Sequence, residues 1–142
     1  MKINKNKIRG FTLLELLIVM VLLGLLAGLV GPQLFKRVGA SRQKTAMAQI
    51  TLLETALKTF KLDVGRYPTT EEGLKAVVAR PEGVRFWDGP YLEKDVPDDP
   101  WGNPYLYKSP AEKAEYEITS LGADGRIGGE GENKDIASWE IK

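Results

Sequence analysis

The stretch from Phe11 to Gly31 constrains this chain more than any other. It is 21 residues long and apolar almost throughout, with one ionisable side chain, Glu15. As a helix rising about 1.5 Å per residue it spans roughly 30 Å, the thickness of a bilayer hydrocarbon core. Residues 1–10 before it form a short basic leader carrying Lys2, Lys5, Lys7 and Arg9. Two ordinary explanations compete. A secretory signal peptide accounts for the basic start, but its apolar region runs only about 7–15 residues and ends in a small-residue cleavage site. This run is longer, and Leu26-Ala27-Gly28 and Val30-Gly31-Pro32 are poor sites. A plain membrane anchor accounts for length and hydropathy. Neither accounts for Glu15, because a carboxylate in an apolar run is costly unless it snorkels to the interface or finds a partner. Snorkelling is within reach, since Glu15 lies about one helical turn from the end of the run.

The junction itself is specific. Arg9-Gly10-Phe11-Thr12-Leu13-Leu14-Glu15 resembles the processing site of type IV pilins and type II secretion pseudopilins. The resemblance implies cleavage between Gly10 and Phe11 by a prepilin peptidase and N-methylation of Phe11, with the apolar run retained. It also implies that Glu15 pairs with the terminal amine of a neighbouring subunit during assembly. That would give the carboxylate the ionic partner its surroundings demand. Membrane orientation does not follow from charge. Lys36, Arg37, Arg42 and Lys44 follow the run closely, so the positive-inside count is nearly balanced. The N-in arrangement rests on the resemblance.

Beyond the run, Pro32 is expected to kink or end the helix. Ala46, Ile50, Leu53, Leu57 and Phe60 then recur at steps of 4, 3, 4 and 3. They predict one apolar stripe on an amphipathic helix over residues 33–62, with Arg42, Lys44, Gln49, Thr51 and Lys58 opposite. The stripe suits packing on the chain's own domain or a partner-helix seam. Gly24, Gly28 and Gly31 would let helices approach closely, although Gly24-x-x-x-Gly28 is weak support alone. Thr69-Thr70-Glu71-Glu72 has capping-box spacing and predicts a short second helix. Its surroundings from Arg66 to Leu74, and Asp99-Pro100-Trp101-Gly102 with Tyr105, again resemble the major pseudopilins. Pro97, Pro100, Gly102 and Pro104 make residues 95–104 a rigid turn. Trp101, Tyr67, Trp87 and Tyr91 read as packing rather than a ligand box. Alternation predicts strands at 105–107, 116–120 and 136–141, the first two joined as a hairpin.

One further stretch is unusual. Residues 121–136 hold five glycines and four carboxylates, Asp124, Glu130, Glu132 and Asp135. Glycines let a backbone turn its carbonyls inward, and carboxylates can complete an oxygen cage for calcium. A solvated acidic turn explains the same composition, and the spacing is not that of an EF-hand. Asp124-Gly125 and Asp135-Ile136 with Trp139 resemble the calcium-binding C-terminal loop of major pseudopilins. By that resemblance Asp124 and Asp135 are the side-chain ligands, and Leu121 and Ile127 supply backbone carbonyls. Glu130 and Glu132 are further candidates.

The chain has no Cys and no His. That removes disulfides, thiol chemistry, the usual zinc and copper sites and any His-dependent triad. A net charge of +1 gives no case for nucleic-acid binding. The expected architecture is α+β: a long N-terminal helix whose apolar half protrudes and whose amphipathic half packs on a small antiparallel sheet. The resemblance implies a type IV pilin-like fold of this kind with a C-terminal calcium loop. Its parts are a leader at 1–10, a transmembrane and filament-core helix at 11–31, and a periplasmic globular domain at 32–142. The resemblance implies a major structural subunit of a type II secretion pseudopilus, a periplasmic filament that drives export of folded proteins across the outer membrane. The implied partners are other copies of itself, minor pseudopilins, the prepilin peptidase, an inner-membrane assembly platform and, before assembly, membrane lipid. A type IV pilin of a surface fibre is the alternative; the missing C-terminal Cys pair and the acidic glycine loop count against it. A membrane-anchored enzyme would need a nucleophile with its base or paired carboxylates on a rigid element, and no such set is visible.

Overall fold

The computed structural model describes residues 10–141. The leader lysines and Arg9 lie outside the described residues. One α-helix, α1, runs from Leu13 to Val64 without interruption. Its start is a reciprocal capping box. The Thr12 N–H donates to Glu15 Oε2 at 2.9 Å, and the Glu15 N–H donates to Thr12 Oγ1 at 3.2 Å. Two of the N–H groups that a helix start leaves unpaired are thus satisfied. Its end is a glycine cap: Gly65 sits at φ +88°, and its N–H donates to the Lys61 carbonyl at 2.8 Å. Only a residue without a Cβ adopts this conformation cheaply.

Pro32 lies inside α1 and does not end it. Of the two outcomes expected of Pro32, a kink or an end, the end does not occur, and the one long helix is present. Proline forfeits one backbone hydrogen bond and crowds the carbonyl four residues earlier. One lost bond does not terminate a helix whose flanks are rich in Leu and Ala, which favour helix strongly.

The chain divides into two compact units, Met1–Arg37 and Val38–Lys142. In the second, the predicted stripe is the core. Ala46, Ile50, Leu53, Leu57 and Phe60 are all fully buried. Gln49, assigned by periodicity to the polar face, is half-buried and accepts from the Tyr105 hydroxyl at 2.6 Å. It sits at the edge of the stripe, where a tyrosine from the sheet layer reaches it. Tyr116 likewise donates to Glu54 at 3.1 Å. Burial, then the neighbouring Glu54 charge, push this phenol's pKa up, so it stays a donor.

Three strands form an antiparallel sheet in the order β1-β2-β3: β1 Leu106–Lys108, β2 Glu117–Ser120 and β3 Ile136–Ala137. Leu106 pairs with Thr119, and Thr119 pairs with Ala137. β3 is shorter than expected and turns at Ser138 into a 3-10 turn, Ser138–Glu140. The buried Ser138 hydroxyl accepts the Ile118 N–H at 3.1 Å, where a continuing strand would have offered a carbonyl. The predicted second helix also shrinks. Its capping box forms, with Thr69 N–H to Glu72 Oε2 at 2.8 Å and Glu72 N–H to Thr69 Oγ1 at 3.2 Å. Gly73, at φ +62°, then breaks the helical path, and only a 3-10 turn, Leu74–Val77, follows. Arg66 grips Glu72 with two bonds of 2.6 and 2.7 Å and holds its carboxyl below the ordinary glutamate range. Tyr67, Trp87, Tyr91 and Trp101 are half-buried against the core, as packing residues.

Candidate functional site

Two regions carry the candidate residues, one in each unit. In the first, Gly10 and Phe11 are exposed and Glu15 is bound into the cap of its own helix. The anchor explanation had left Glu15 unexplained. The structure gives it a local task, and the signal was legible: Thr12-x-x-Glu15 has the same spacing as Thr69-x-x-Glu72. The helix that follows is long and apolar enough to cross a membrane. No side chain between Leu13 and Arg37 is buried. This surface has no partner among the described residues, so lipid or protein must cover it.

The second region is the loop from Leu121 to Asp135, and the Asp99 turn fixes where it begins. Asp99 is buried. Its Oδ1 accepts from the N–H groups of Trp101 and Asn103 at 3.0 and 2.8 Å, and its Oδ2 accepts from the Ser120 hydroxyl at 2.6 Å. Asn103 Nδ2 then donates to the Gly122 carbonyl at 3.0 Å. The two ends of the loop close on each other where the Ala123 N–H donates to the Glu132 carbonyl at 2.9 Å. At Gly122, φ is +65° and a Cβ would meet the Glu132 carbonyl oxygen at 2.7 Å. Glycine is required there both by conformation and by space.

Within this frame Asp135 is the most constrained carboxylate. Its Oδ2 accepts the Gly128 N–H at 2.9 Å, while its Oδ1 is buried without a hydrogen-bond partner. Leu121, Ile127 and Asp135 line one cavity of about 580 Å³ beside Thr119. Asp124 is exposed, and its Oδ1 accepts the Arg126 N–H at 3.1 Å. Glu130 is exposed and precedes a 3-10 turn, Gly131–Asn133. The Glu132 carboxylate lies on α1, where a Cβ built on Gly39 would overlap it. Among the described residues no three acidic side chains gather closely enough to hold a metal together.

Sequence reasoning missed the contact that seats this loop on the helix. Gln43 Nε2 donates to the Gly131 carbonyl at 2.6 Å, and Gly39 is buried beneath Glu132. The signal lay in the stripe itself. Positions 39 and 43 continue it backwards with the same steps of 4 and 3, but neither residue is apolar.

Residues 33–139 match the family model described as type II secretion system protein G, and residues 5–31 match the prokaryotic N-terminal methylation motif. The chain is 45% identical to the type II secretion system core protein G of Vibrio cholerae, over 96% of this chain and 95% of that protein. It is 42% identical to the core protein G of Pseudomonas aeruginosa, over 92% and 94%. The crystal structure of the major pseudopilin from the type 2 secretion system of enterohaemorrhagic Escherichia coli superposes with a TM-score of 0.65. That match has 33% identity and covers 78% of this chain and 96% of that one.

Proposed function

The chain belongs to the protein G family of the type II secretion system, and from that premise we propose how the subunit is used. It is a structural subunit of the pseudopilus, and not an enzyme. The observation that carries the assembly reading is the uncovered helix surface from Leu13 to Arg37, in a chain whose family builds a filament. Before assembly the surface sits in the inner membrane with the C-terminal domain in the periplasm. In the filament the same surface packs on other copies. Cleavage between Gly10 and Phe11 by the prepilin peptidase, then methylation of Phe11, prepares the end. Minor pseudopilins and an inner-membrane platform are the expected assembly partners, and growth of the filament drives folded proteins outward. A surface-fibre pilin is set aside by the protein G match over residues 33–139.

Glu15 has two states in this scheme. In the single subunit it caps its own helix. In the filament it faces the amine of a neighbour, and the charge pair replaces the cap. Electron microscopy of filaments from Glu15→Ala cells tests this. Filament number is expected to fall to near zero; normal filaments would remove the intersubunit role.

Calcium fits the loop by one structural criterion. Asp135 Oδ1 is a buried, unpartnered carboxylate oxygen, and such an atom is costly unless a donor or cation meets it. All available donors are oxygens, which suits a hard cation. Asp135 and Asp124 would hold the ion, with the backbone carbonyls of Leu121 and Ile127. Glu130 and Glu132 are the weaker candidates, since Glu132 is directed at Gly39. The ion would supply charge neutralisation and hold the loop closed; it takes no part in any reaction.

A further inference from the structure

Residues 80–91 place one large apolar side chain where the subunit's own fold makes no use of it. Phe86 is 80% exposed. Among the described residues it alone, apart from glycines, has positive φ, at +61°. A bulky residue stays in the left-handed region only where its surroundings over-determine it, and such positions cluster at functional contacts. The bracing is present on both sides. Arg80 Nε donates to the Val84 carbonyl at 2.8 Å, and Trp87 Nε1 donates to the Ala76 carbonyl at 2.8 Å. The Asp88 N–H donates to the Tyr91 hydroxyl at 3.1 Å, and that hydroxyl donates to Asp63 Oδ2 at 2.9 Å. Val84 and Trp87 turn inward onto the Phe60 cluster. The ring between them is therefore held outward at a fixed place.

The same unit carries a matching recess. A groove of about 470 Å³ is lined by Leu52, Tyr91, Leu92 and Pro97 together with Glu93, Lys94 and Asp95. Leu52 is 55% exposed, one residue out of step with the buried stripe.

We propose that Phe86 of one copy enters this groove on the next copy, with Arg85 against the carboxylates of Glu93 and Asp95. The inference rests on the pseudopilus reading, which makes a second copy the occupant. Charge supports it: the rim is net negative even with Lys94 included, and the residue adjoining the ring is a cation. The two surfaces use different residues of one subunit, the projecting ring on one side of Tyr91 and the groove on the other. Such a heterologous contact repeats without closing and yields an open filament. The anchors of Phe86 pack at Phe60 and Val64 of α1, and the groove runs from Tyr91, one of those anchors, to Leu52.

The chain has no cysteine, so disulfide trapping is clean. Copies of the full chain carrying both Phe86→Cys and Leu52→Cys are oxidised in filament-producing cells and run on a non-reducing gel. A reducible ladder of multimers is expected. Co-expression of a Phe86→Cys chain with a Leu52→Cys chain is expected to give dimers and no ladder, and it guards against failure of the double variant to assemble. Filaments visible by electron microscopy without either product would overturn the inference while leaving the pseudopilus reading intact. No filaments from the unmodified chain would overturn that reading instead. Phe86→Ala is expected to cut filament yield roughly tenfold or more, as truncation of a central aromatic anchor does, with the melting temperature of the subunit retained. Undiminished filaments would also overturn it.

Discussion

Residues 13–37 and 38–64 belong to one helix, but they meet their apolar demands in opposite ways. In the C-terminal part, most apolar side chains keep to one stripe, which the domain's own sheet and loops bury, while Val38, Met47, Leu52 and Leu62 stay exposed outside it. The rest of the outward face is polar and satisfied locally: Thr51, Thr55 and Thr59 each donate a hydroxyl to the carbonyl four residues earlier at 3.0 Å. In the N-terminal part, apolar side chains surround the helix, and none is buried. Burying one Leu stabilises by roughly 1.5–3 kcal/mol. The C-terminal part collects that gain on folding, whereas the N-terminal part can collect it only from lipid or from other copies. A helix apolar all round is a request for an external partner; an amphipathic one carries its partner in the same chain.

The sharpest way to break this contrast is to truncate one leucine in each part. Leu53→Ala removes a fully buried side chain and is expected to lower the unfolding free energy by about 2–5 kcal/mol. Leu22→Ala, on the uncovered part, is expected to change it by less than about 0.5 kcal/mol. Trp87, Trp101 and Trp139 all lie in the second unit, so tryptophan fluorescence of the full chain in detergent during denaturant unfolding reads that unit in both variants. Equal losses would mean that the N-terminal part contributes to the fold of the domain after all.

Calcium offers a second, smaller test, confined to the self-satisfied unit. With a dissociation constant on the order of 10⁻⁴–10⁻³ M, as in extracellular modules, about 10 mM calcium stabilises by roughly 1.4–2.7 kcal/mol. The melting temperature of the full chain should rise by several degrees with calcium and not with sodium at matched ionic strength. Asp135→Asn keeps an acceptor for Gly128 but removes the charge, and Asp124→Ala removes the other carboxylate. Each is expected to abolish the rise. A rise that survives both would move the ion away from this loop.

How far these features could be read without coordinates follows from how local their causes are. The apolar run, the stripe from Ala46 to Phe60 and the hairpin strands depend on periodicity, and all are present. Pro32 does not end the helix, because its one missing hydrogen bond is outweighed by helix-favouring neighbours. The second helix failed because Gly73 adopts φ +62° one residue beyond an intact capping box. β3 stopped early because Ser138 bonds Ile118 through its side chain, which no alternation pattern records. The loop's composition announced a candidate site, but its geometry depends on Asp99, Asn103, Gln43 and Gly39. Those residues are distant in sequence, and nothing in local pattern joins them to Asp135.

Gly39 gives the finest test of the boundary between the two parts, since it lies two residues past Arg37 and is the first buried residue of α1. Ala is preferred over Gly in a helix interior by roughly 0.5–1 kcal/mol. At Gly28, where a Cβ meets nothing within 4 Å, Gly28→Ala should show no steric penalty. At Gly39 the same change drives the Glu132 carboxylate from its seat. Glu132 is an exposed, flexible side chain, so the cost is modest and should offset the helical gain. The two sites couple only if they touch. Glu132→Ala vacates the seat, and adding Gly39→Ala to that variant should then stabilise by about 0.5–1 kcal/mol, where Gly39→Ala alone stabilises less. Denaturant melts of the four proteins in this cycle read the difference directly. Additive effects would mean that the loop does not rest on α1 at Gly39, and Gln43 alone would then have to seat it.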